Sequence, residues 1–80
     1  MDGNKSCVAF EVDWFDPIAN IIQSMYLKFF MDNNTLELLQ GSKFFLARIY
    51  YPDIALEDLF IGNSVQIYNR RFEIKGYANR

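Results

Sequence analysis

Val8, Phe10, Val12 and Trp14 alternate with Ala9, Glu11 and Asp13. This is the period of a strand with one buried face. Phe15-Asp16-Pro17 closes the run, because proline donates no ladder hydrogen bond and restricts the residue before it. The preceding residues 1–7, MDGNKSC, are polar and read as a flexible tail, so a single domain is expected over 8–80.

The stretch Met25–Gln40 predicts a hairpin. Met25, Leu27, Phe29 and Met31 share one strand face, and Leu36 and Leu38 alternate with Thr35 and Glu37 beyond the turn. Asp32-Asn33-Asn34 suits that turn, since Asn and Asp tolerate positive φ and bond their own backbone. No glycine is present, so a two-residue turn and a three- or four-residue loop both fit. A helical alternative competes further upstream. Ile18, Ile21, Ile22, Met25 and Phe29 also recur at helical spacing, and Asp16-Pro17 has the chemistry of an N-cap followed by proline at the first helical position. A compromise places an irregular or helical turn at 17–23 and a strand from about Ser24.

Downstream, Gly41-Ser42 marks a turn and Lys43–Tyr51 a further strand closed by Pro52. Strict alternation there puts Phe45, Ala47, Ile49 and Tyr51 on one face, and Phe44, Leu46, Arg48 and Tyr50 on the other. Asp53–Phe60 predicts one or two helical turns capped by Asp53, with Leu56, Leu59 and Phe60 pointing inward. Ser64–Tyr68 and Phe72–Tyr77 predict a second hairpin across Asn69-Arg70-Arg71, its core face supplied by Val65, Ile67, Phe72 and Ile74. Trp14 is expected in the core. The fold class is therefore mainly β, a small barrel or sandwich of about six or seven strands with a short helical turn near 54–60.

Composition sharpens this picture. Eighty residues make one domain, and chains this short are marginal unless their core is dense. Here 51% of residues are hydrophobic and 18% aromatic. At roughly 1.5–3 kcal/mol per buried Phe or Leu, a core without disulfide or metal is feasible. So many large apolar groups also leave room for an exposed contact patch.

Charge and residue chemistry narrow the function. The net charge of −2 provides no field for nucleic acid or an anionic membrane. One cysteine, Cys7, fits a reducing compartment, and the N-terminus lacks the layout of a signal peptide. There is no histidine, which removes His-dependent nucleophile pairs, phosphohistidine chemistry and most zinc sites. The four glycines are scattered and make no phosphate loop. Asp13 with Asp16, and Glu57 with Asp58, are too few ligands for calcium; Asp13 and one of Glu57 and Asp58 read as solvated or turn-capping groups. No catalytic residue, cofactor or metal is expected. Arg70-Arg71 with Lys75 and Arg80 is the basic cluster, a solvated hairpin tip or a patch for an acidic partner. Tyr50, Tyr51 and Tyr68 suit a core edge or an interface.

Phe10–Ile18, FEVDWFDPI, and Ala55–Val65, ALEDLFIGNSV, resemble the doublet-microtubule (DM-ten) domain over roughly residues 8–79. The motif residues are Trp14, Asp16, Pro17, Leu56, Leu59, Phe60 and Gly62. Opening within ten residues of Met1, the domain is most similar to the N-terminal module of the nucleoside diphosphate kinase 7 type of ciliary proteins. The resemblance implies a pleckstrin-homology-like barrel, which favours strand over helix at 24–31. The family's C-terminal helix is expected to be absent or truncated here. The resemblance also implies a non-catalytic docking module of the axoneme, set against tubulin and neighbouring proteins, with Arg70, Arg71 and Lys75 as contacts. Kinase chemistry needs a histidine, so no kinase activity transfers to this chain. Packing on the parent's kinase domains is the alternative role. Barrel shape alone does not imply lipid binding, and no lysine-rich loop supports it. An isolated monomer in the cilium or cytoskeleton is the resulting expectation.

Overall fold

Alternation and turn chemistry build a six-stranded antiparallel sheet in the computed structural model, which describes residues 7–78. The strands are β1 (Cys7–Asp16), β2 (Ile21–Phe30), β3 (Thr35–Gln40), β4 (Lys43–Tyr50), β5 (Ser64–Ile67) and β6 (Arg70–Tyr77). Their order is β4-β3-β2-β1-β6-β5. The first four form a meander, and the β5–β6 hairpin docks on the other side of β1. The sheet curls into a half-barrel. Cys7, read with the tail, is the first residue of β1 and pairs with Phe30. The rest of the expected tail lies outside the described residues.

The contest at 16–30 resolves as strand. β1 and β2 pair continuously from Cys7↔Phe30 to Asp16↔Ile21, so β2 begins three residues before the expected Ser24. Only Pro17–Asn20 turns. The Asn20 amide donates to the Asp16 carbonyl at 2.7 Å, a single helical turn that goes no further. Met31–Asn34 makes the matching loop between β2 and β3. Each loop ends on an asparagine in the left-handed region, Asn20 at φ 60° and Asn34 at φ 56°, a conformation Asn accepts more readily than bulky residues.

The inner face holds Phe10 and Val12 of β1, Met25, Leu27 and Phe29 of β2, Leu36 and Leu38 of β3, Val65 and Ile67 of β5, and Phe72 and Ile74 of β6. Bulges produce the curl. On β4 the register slips twice against β3, between Leu36 and Leu38 and again between Leu38 and Leu39. Leu46 and Ile49 therefore both pack on the core, and Ala47 is exposed. This overturns the strict two-face division expected for 43–51. A third bulge lies where Glu11 and Val12 of β1 meet Gly76 and Ile74 of β6.

Segment 51–63 crosses from the β4 edge to the β5 edge and closes the open end with Ile54 and Leu59. Its helical content is one 3-10 turn, Leu56–Asp58. The N-cap is Ala55, not Asp53, and its amide donates to the Asp58 carboxylate at 3.0 Å. Leu56 and Phe60, expected inward, are exposed. In so short a turn only one face meets the core, and Leu59 occupies it. Gly62 adopts φ +96°, which suits a residue without Cβ. No α-helix follows β6 among the described residues.

The two sheet edges meet through side chains. Tyr51 and Tyr68 stack edge to face at 5.3 Å, and the Tyr68 amide donates to the Tyr51 hydroxyl at 3.2 Å. Trp14 lies at this rim rather than in the core centre, half-buried, 5.9 Å from Phe45 and 6.5 Å from Phe72. Tyr50 points to solvent.

Candidate functional site

The site is built where β1 and β2 outrun their neighbours. β6 pairs with β1 only as far as Trp14, and β3 pairs with β2 only from Tyr26. Residues 15–22 thus form a two-stranded arm. Asp16 folds its tip: Oδ1 accepts the Ile18 and Ala19 amides at 3.0 and 3.3 Å, and Oδ2 accepts Gln23 Nε2 at 3.4 Å. The Ala19 amide, then Gln23, the Ile18 amide and the charge of Arg70 hold the Asp16 carboxyl below its ordinary range, against a smaller opposing effect of burial. Pro17 fits the first turn position because its φ is already set. Gln40 Nε2 braces the arm by donating to Gln23 Oε1 at 2.7 Å.

The arm exposes large apolar side chains. Ile18 at the tip is 96% exposed, and the cross-strand pair Phe15 and Ile22 is 53% and 63% exposed. Ile21 is also open. Sequence reasoning weighed these isoleucines as one face of a helix, and otherwise placed them in an irregular or helical turn at 17–23. A signal was available, however. Two adjacent apolar residues such as Ile21-Ile22 occupy opposite faces of any strand, so both can be buried only if both faces are covered.

A groove of about 610 Å³ runs between this arm and the β5–β6 hairpin. Phe15, Pro17 and Ile22 line one side. Arg71, Glu73 and Lys75 line the other, with Arg70 and Trp14 at one end. The expected turn Asn69-Arg70-Arg71 is in fact the two-residue turn Tyr68-Asn69, both at positive φ (49° and 69°). Arg70 and Arg71 are therefore neighbouring strand residues that point to opposite faces. Arg70 turns to the barrel rim, its guanidinium 4.8 Å from the Trp14 ring centre and 5.1 Å from that of Phe45. Arg71 faces outward and donates Nε–H to Ser64 Oγ at 3.1 Å. Lys75 Nζ lies 3.9 Å from Glu73. The groove gathers all three cations, but along its length rather than as one patch. Arg80 lies outside the described residues.

On the outer face of the sheet, Glu37 is 7% exposed. Its carboxylate lies 3.9 Å from Arg48, whose guanidinium sits 3.5 Å over the Phe30 ring. Burial pushes the nearby Cys7 thiol up, against the lowering pull of Lys28 and Arg48. A second exposed apolar group, Leu56, Phe60 and Ile61, lies on the crossing segment. Among the described residues no group of His, Cys, Asp and Glu is arranged to hold a metal ion.

No family model matches the chain. It is 34% identical over 74 residues to nucleoside diphosphate kinase homolog 7 of Mus musculus, and 31% identical over 74 residues to that of Rattus norvegicus. Each alignment covers 90% of this chain and 19% of the relative. The chain is homologous to the N-terminal region of those proteins. It spans about a fifth of the length of the curated relatives it matches.

Proposed function

We propose that this chain is a non-catalytic DM-ten docking module of a longer protein similar to nucleoside diphosphate kinase homolog 7, and that it tethers its parent to ciliary doublet microtubules. The observation that carries a docking role is the arm: a hydrogen-bonded hairpin whose large apolar side chains face solvent beside a groove lined with charged groups. Exposed apolar residues gathered on a braced element are the usual mark of a contact surface. The similarity to part of a much longer protein supports a module that works for its parent. The histidine-free composition supports a role without phosphohistidine chemistry. Tubulin's acidic surface would meet Arg70, Arg71 and Lys75, and neighbouring axonemal proteins would meet the apolar arm.

The test is co-sedimentation of the chain with polymerised microtubules across a salt series. Binding should fall as salt rises and weaken further in a chain carrying both Arg70→Glu and Arg71→Glu. Binding unaffected by the pair would remove those arginines from the contact. A second reading draws on the short share of the relatives that the chain covers: the same surface could pack on the parent's kinase domains. Kinase turnover of the parent with and without this module separates the two. Loss of axonemal retention at unchanged turnover favours tethering; changed turnover favours regulation.

A further inference from the structure

The two walls of the groove differ in kind. Phe15 and Ile22 are cross-strand partners on β1 and β2, and more than half of each is open to solvent. Facing them, Arg71 and Lys75 rise from β6. Two carboxylates lie between: Asp13 accepts the Ser24 hydroxyl at 2.9 Å and keeps its charge, and Glu73 lies 3.9 Å from Lys75. Arg71 has no carboxylate partner among the described residues. Among the described residues its one side-chain hydrogen bond is Nε–H to Ser64, which leaves the terminal donors of the guanidinium fork for a ligand. With Arg70, Arg71 and Lys75 against Asp13 and Glu73, the lining of the groove carries a net charge of +1 in a chain of net charge −2.

We propose that the groove binds an extended acidic segment of a partner protein that also carries a large apolar side chain. The apolar side chain packs on Phe15 and Ile22, and a carboxylate of the segment takes the Arg71 fork. The apolar wall holds the segment, and the cations fix its direction and speed its arrival. This deepens the docking reading above and rests on it, because it names the partner chemistry of the same surface.

The experiment titrates three labelled synthetic peptides of equal length into the 80-residue chain at low ionic strength, by fluorescence anisotropy and amide chemical shift. One peptide is Glu-rich with Phe and Leu. A second has Gly at the apolar positions, and a third has Lys in place of every Glu. The first should bind saturably, with shifts at Phe15, Ile22 and Arg71. The second should bind about tenfold more weakly, and the third should not saturate. Joint Phe15→Ser and Ile22→Ser should cost about tenfold, and Arg71→Glu alone about as much. These side chains are exposed, and circular dichroism checks that the fold is kept. Equal binding of the Lys peptide, shifts elsewhere, unchanged affinity in both variants, or shifts driven by protein concentration alone (a second copy in the groove) would each overturn the proposal. Microtubule sedimentation run in parallel keeps the two readings apart. Peptide binding without sedimentation defeats the microtubule assignment and keeps the groove. Sedimentation that survives Phe15→Ser with Ile22→Ser, alongside absent peptide binding, defeats the groove alone.

Discussion

Val12↔Met25 and Phe15↔Ile22 are rungs of the same ladder, three residues apart. The first pair is sealed in the core, and the second stands in solvent. Chemistry does not separate them, since all four side chains are apolar. Neighbours do. At Val12, β6 lies on one side of the hairpin and the curled sheet closes over the inner face. In that middle region even the outward-facing Ala9 is buried. Beyond Trp14 no third strand pairs with the arm, and Ile21 on the inner side is as open as Phe15 on the outer. The core half of the hairpin holds the fold together, and the arm half is left for something else.

That contrast can be broken by substitution. The largest effect should come from Phe72→Ala, which empties a fully buried site beside Trp14. A loss of about 3–5 kcal/mol in urea unfolding is expected. A loss below about 1 kcal/mol would mean the core half is no better packed than the arm. Ile18→Ser, at the tip, should change stability by no more than about 0.5 kcal/mol in the same measurement. A larger loss would show that the tip is held by contacts within the chain.

The smallest effect is a sharpening one at Asp16, where the arm is folded by a carboxylate rather than by packing. Its folded pKa lies below the ordinary value of 3.8, mainly through the Ala19 amide. The charged form is thus favoured by folding. Its contribution is complete above the unfolded value and is lost as pH falls toward the folded one. Acid titration of stability should therefore steepen below about pH 4 in the native chain. Asp16→Ala should lack that part of the slope. An identical slope in both would place the acid sensitivity in other carboxylates.

Much of the fold was legible in the residues. The alternation from Val8 to Trp14 marked β1, and Asn34 and Gly41 marked turns because they accept positive φ. The basic strand was found as a charge cluster, but its geometry was missed. Tyr68 takes positive φ beside Asn69, so the turn closes two residues earlier than composition suggests. In a strand of period two, that placement makes Arg70 and Arg71 diverge.

Local sequence determined that this chain forms antiparallel strands and where most of them reverse, since side-chain alternation and turn preferences act over a few residues. Alternation named the inward faces of β1, β5 and β6, and tertiary structure decided how far along each strand that face is covered. The bulges that curl β4 and β6, the crossing segment that brings in Leu59, and the reach of β3 and β6 along the first hairpin all depend on partners distant in the chain. Burial is a property of what lies opposite a side chain, so Met25 and Ile21 can share one face of β2 and have different fates.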